Sequence, residues 1–132
     1  MDPLSANSVA AAQLAWLSRL AEAATIHAVE QHCSPSPLTV NRVDLILDAE
    51  RARGLHDQRS ALVACYGAWL GAWLVDAAAG QWCGLHEPVP PRVQVGSLLY
   101  SPLGAVERRL SSAAASTMQS LVQQAVQTYQ AE

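Results

Sequence analysis

The stretch Ala61–Trp82, ALVACYGAWLGAWLVDAAAGQW, decides the fold. It holds three of the four tryptophans, and three glycines punctuate it. Gly67 and Gly71 lie four apart, with Ala64, Ala68 and Ala72 on an adjoining stripe. Residues at that spacing share one side of a helix, and small side chains there let another backbone come close. Leu62, Tyr66, Trp69 and Trp73 form a broad apolar face, with Leu70 and Leu74 alongside. The pattern predicts a central helix from Asp57, its expected cap, to Ala78 or Ala79. Gly80 is the expected left-handed residue just past its end. Ser60 to Val75 carries no charge, but a membrane span needs about 20 residues, and Asp76 closes the run. A buried helix is therefore expected, and no membrane span.

Upstream, a first helix is expected from about Ser8 to Gln31. Leu14, Leu17, Ala21, Ala24 and Ala28 make one stripe, with Trp16, Leu20 and His27 beside it. Alanine covers most other sides, which marks Trp16 as a partly exposed aromatic. The breaker Ser34-Pro35-Ser36-Pro37 ends this element. A second helix, Thr39 to Arg53, starts on a good cap, and Val40, Val43, Ile46 and Leu47 recur at helical spacing. Gly54 is its natural stop.

Downstream the period changes from helix to strand. Gln81 to Leu85 and Arg92 to Leu99 read as two short strands, and three prolines keep His86 to Pro91 out of any ladder. Trp82 pins this hairpin to the core. Ser101-Pro102 reads as a cap followed by proline at the first helical position. The last helix runs toward Gln130, with a break around Ser111-Ser112. The order gives one α+β domain over residues 1–132, mostly helical. It has about three helices, a small antiparallel hairpin and a long or broken C-terminal helix. Residues 1–7 and 127–132 are expected to fray.

Composition narrows the function. Hydrophobic residues make up 51% of the chain and charged residues 14%, against a usual share of about 25% charged. An apolar surface inclined to partner binding or self-association follows. Phenylalanine and lysine are absent, so tryptophan supplies bulk in the core. Abundant alanine with scarce isoleucine and asparagine suggests a GC-rich bacterial genome. The net charge is −3 and the arginines are scattered, which excludes a basic nucleic-acid-binding face. An odd three cysteines, without a secretory leader pattern, point to reduced thiols and a cytoplasmic setting.

No catalytic constellation is complete, so neither catalytic residues nor a cofactor are expected. His32, Cys33, Cys83 and His86 are the one set that could hold a tetrahedral metal. Adjacent His32 and Cys33 cannot easily face one ion, and no repeated C-x-x-C pair anchors them. Cys65 lies inside an apolar helix, where burial silences a thiol. Asp76 is the single carboxylate within the apolar segment, and an ion pair with Arg92, Arg108 or Arg109 is the expected account. Trp69 and Trp73 read first as core, and second as a ligand platform or partner surface.

The stretch Tyr66-Gly67-Ala68-Trp69-Leu70-Gly71, with Gly80-Gln81-Trp82, Pro91-Arg92-Val93 and Ser101-Pro102 through Leu110, resembles a family of small uncharacterised bacterial domains. In these a Tyr-Gly-x-x-x-Gly helix feeds a hairpin with Gly-x-Trp, and a proline-started helix follows. The resemblance covers Leu62 to Leu110 and implies a fold rather than a chemistry. Some such domains look like immunity or accessory proteins of bacterial secretion and toxin systems. The expectation is a non-catalytic protein-binding factor, of immunity, adaptor or regulatory type, with a protein partner that includes its own copy as a homodimer. Trp16, Gly67, Trp69, Gly71, Trp73, Asp76 and Trp82 are its interaction or structural candidates. The alternatives are a metal or thiol protein using the Cys83/His86 set, and a small-ligand binder on the tryptophan face.

Overall fold

Helix α3, Arg59–Ala77, is the hub against which the first helix, the first two strands and the two C-terminal helices pack. The computed structural model describes residues 3–54, 57–85, 87 and 89–131, with side chains from residue 9 onward. The order is α1 (Pro3–His32), α2 (Val40–Arg53), α3, β1 (Gln81–Cys83), β2 (Arg92–Val95), β3 (Leu98–Tyr100), α4 (Pro102–Ser111) and α5 (Met118–Ala131). The chain is α+β and mostly helical, with five helices among the described residues. Helix α3 is also long and apolar enough to cross a membrane by length and composition. In this fold its Tyr66, Leu70 and Leu74 are fully buried against the other elements.

The small residues of α3 act as the spacing implies. A Cβ on Gly67 would meet the backbone of Leu103 at 2.8 Å, so glycine brings α4 against α3. At Gly71 it would meet the ring of Trp82 at 2.1 Å. The Trp82 ring of the first strand thus occupies the space that Gly71 leaves on α3. Ala24 and Ala28 of α1, also fully buried, complete the α1–α3 seam. Leu17 packs with Ala68 and Leu85 in a smaller cluster.

The ends of α3 depart from expectation. Its N-cap is Gln58, which makes no side-chain cap bond, and Asp57 is an exposed turn residue. At the other end the left-handed residue is Ala79 (φ 52°), one position before Gly80. Gly80 is needed for space instead, because a Cβ there would meet Val93 Cγ1 at 2.6 Å. Helix α2 does start on Thr39, whose Oγ1 accepts from Arg42 N at 3.3 Å.

The segment Arg92 to Leu99 is not one strand. Gly96 (φ 57°) and Ser97 turn it back, giving β2 and β3 and a sheet of order β1-β2-β3. Trp82 pairs with Val93, and Val93 with Tyr100. These three share the face that packs on the core, while Gln81, Gln94 and Leu99 share the other. A two-residue loop carrying a glycine at positive φ is the usual short hairpin link.

The C-terminal helix breaks at Ser112, as the sequence suggests. Ser101 makes no side-chain cap bond, and α4 begins on Pro102 at its first turn. Two charged residues tie the broken pieces to α2. Asp44 accepts from Met118 N at 2.8 Å and from Gln119 N at 3.1 Å, capping α5 from another helix. Arg109, 9% exposed, donates to Ala113 O and Ala115 O in the α4–α5 connection and lies 3.0 Å from Asp48.

Candidate functional site

Two features stand apart from the packing just described. The first is the outward side of α1. Helix α1 rests on α3 through Leu17, Ala24 and Ala28, so the side turned away faces solvent. On that side Ala12, Trp16, Arg19, Ala23, Ile26 and Glu30 alternate at steps of four and three. Steps averaging 3.5 make a straight seam along a helix, the spacing of a coiled-coil contact line. Trp16 is 47% exposed and Ile26 49%. Ala12, Arg19 and Glu30 are exposed as well, and Ala23 is half-buried. The seam spans about 27 Å at the rise of an α-helix.

The seam is complementary to its own reverse. Set antiparallel about a point between Ala23 and Ile26, Ile26 of one helix falls opposite Ala23 of the other. Arg19 then falls opposite Glu30. Large meets small and positive meets negative, twice each, as a two-fold interface requires.

The second feature is a polar cluster at the junction of α1, α2 and α3. Glu50 of α2 is 2% exposed, and three side chains converge on its Oε1. His32 Nε2 is hydrogen-bonded to it at 2.6 Å, Arg53 Nη1 lies at 3.4 Å and His27 Nε2 at 3.6 Å. His27 Nδ1 is hydrogen-bonded to the hydroxyl of Tyr66 on α3 at 2.7 Å. A cavity of about 280 Å³ opens beside them, and Gln31, Gln58, Ala61, Leu62 and Cys65 complete its wall. Desolvation lowers the pKa of His27 from its ordinary value, and His32 and Arg53 add to this while Glu50 opposes it. Burial raises the Cys65 thiol, and burial with Glu50 and Cys65 nearby pushes the Tyr66 phenol well above its usual range.

The residues singled out from sequence are distributed as follows. Gly67, Gly71 and Trp82 form the packing core of α3 with α4 and the sheet. Trp69 and Trp73 are half-buried against the core, and Trp73 also borders a groove with Leu38 and Val122. Asp76 is exposed and makes no ion pair among the described residues. Its expected partners are engaged elsewhere or turned to solvent. Arg92 pairs with Glu87 at 3.1 Å, Arg109 pairs with Asp48, and Arg108 is exposed. Asp76 and Ala77 lie on the outward side of the last turn of α3, so this carboxylate faces solvent.

The expected metal set does not assemble among the described residues. His32 joins Glu50 and His27, Cys33 is exposed at the end of α1, and Cys83 sits on β1 near Gln94. His86 lies outside the described residues. Glu50 lies within the charged run Asp48 to Arg53 at the end of α2. Its phase gives it away: Val43, Ile46 or Leu47, and Glu50 continue one buried stripe. A carboxylate on that stripe must have partners, and His27 and His32 are the nearby candidates. Compared with family models, with curated proteins and with solved structures, this chain matches none.

Proposed function

We propose that this chain is a non-catalytic bacterial protein-binding factor, of the adaptor or immunity type, that works in the cytoplasm as a homodimer joined through α1. The observation that carries the reading is the α1 seam, in which exposed Trp16 and Ile26 alternate with alanines and with the opposite charges Arg19 and Glu30. Apolar side chains of this size left open on a helix favour burial against a partner. A second copy suits the seam because Ile26 meets Ala23 and Arg19 meets Glu30 at its centre, each twice. Trp16, toward the N-terminal end of the seam, packs at the C-terminal end of the other copy's α1.

Charge reversal tests the arrangement. Arg19→Glu alone and Glu30→Arg alone each set like charges together at two places, and sedimentation should show the dimer weakened about tenfold or more. The double variant Arg19→Glu/Glu30→Arg should restore it. Leu45→Glu, on an exposed position of α2 (61%) away from the seam, should leave it unchanged. Equal assembly in all four proteins would remove α1 as the interface.

A further inference from the structure

We propose that His27, His32 and Glu50 bind a divalent transition-metal ion of the zinc class, with the adjoining cavity giving its open coordination positions. Two imidazole nitrogens and one carboxylate oxygen form a donor set suited to Zn²⁺, and to Fe²⁺ or Co²⁺. Their ligand atoms all lie within 4.8 Å of one another. An ion bonded at about 2.0–2.2 Å to each donor needs neighbouring donors roughly 3–3.5 Å apart. The two distances to Glu50 Oε1, 2.6 Å from His32 and 3.6 Å from His27, bracket that range. Small side-chain rotations therefore complete the site without moving a helix.

The surroundings favour an ion over a purely structural ion pair. Tyr66 holds the far nitrogen of His27, the kind of outer hydrogen bond that fixes a ligating imidazole's tautomer and aims its other nitrogen. In the tautomer whose Nδ1–H donates to the phenol oxygen, the Nε2 lone pair faces Glu50 and is free to ligate an ion held there. The Arg53 side chain, 60% exposed, is free to swing into water when a divalent charge takes its place beside Glu50. The cavity leaves room for water or a small ligand on the ion, as sites with three protein ligands and an open position do.

The experiment uses the untagged full chain, stripped with a chelator and titrated with Co²⁺ under visible spectroscopy, with Zn²⁺ as competitor. The expected result is one equivalent bound, with visible bands of a low-coordinate ion and no thiolate charge-transfer band. Tyr66→Phe, which removes no ligand, should weaken binding roughly 10–100-fold. His32→Gln and Glu50→Gln should weaken it more than Tyr66→Phe does. Zn²⁺ should raise the melting temperature of the wild type and leave that of folded His32→Gln unchanged, which separates loss of a ligand from loss of the fold. No uptake by the wild type, unchanged affinity in His32→Gln, or a thiolate band abolished by Cys33→Ser/Cys83→Ser would each overturn the assignment.

Discussion

At the scale of single residues, the fold turns on places where a side chain is missing. Gly71 accepts the Trp82 ring, and Gly67 accepts the backbone of α4. Gly71→Ala puts a methyl into a rigid ring and should cost about 3 kcal/mol, the upper end of the usual range for overpacking a core. Urea unfolding measures it. In a Trp82→Leu background the same change should cost less, because the two residues share one space. Additive losses would mean that the ring does not sit on Gly71. The left-handed Ala79 shows the limit of reading such positions from composition. Glycine has two uses, positive φ and close approach, and here Gly80 serves the second while Ala79 takes the first. Cys33 also takes a left-handed conformation (φ 51°) where α1 ends, and nothing in its residue type announces that.

At the scale of elements, helices with strong apolar periodicity were legible and their junctions were not. The α3 face, the Thr39 cap, the start at Pro102 and the break near Ser112 all follow from local pattern. The β2–β3 hairpin was missed because Gly96-Ser97 is a weak turn signal inside an alternating run. The Asp57 and Ser101 caps were expected from residue type, yet neither makes the bond. The effective cap of α5 comes from Asp44, which is 74 residues earlier than Met118 and invisible to any local rule. Asp44→Ala leaves two amides at the start of α5 without an acceptor and should cost about 1 kcal/mol, as helix-cap losses do. Hydrogen exchange should speed up first in the opening turn of α5. Unchanged protection there would show that the cap contributes nothing. The polar cluster was half legible. His32 belongs to the set expected from sequence to bind metal, but its partners His27 and Glu50 come from helical phase and from the fold, not from sequence neighbours.

At the scale of the whole molecule, sparse charge and an alanine-rich α1 leave a surface that the monomer does not cover. The same low charge fraction that leaves the surface apolar also makes the placed charges informative. Arg19 and Glu30 mark the seam, and the Asp48–Arg109 pair and the Asp44 cap tie α2 to the broken C-terminal helix. The tryptophans divide by role. Trp82 is a packing residue, Trp69 and Trp73 are half-buried, and Trp16 alone lies open on the α1 seam. The reading of this chain as a protein-binding factor therefore rests on α1 and on nothing catalytic. Its most direct test is the mass of the untagged wild-type chain by size exclusion with light scattering at micromolar concentration. The account predicts twice the 14.1 kDa chain mass, and a mass of one chain at every concentration measured would contradict it.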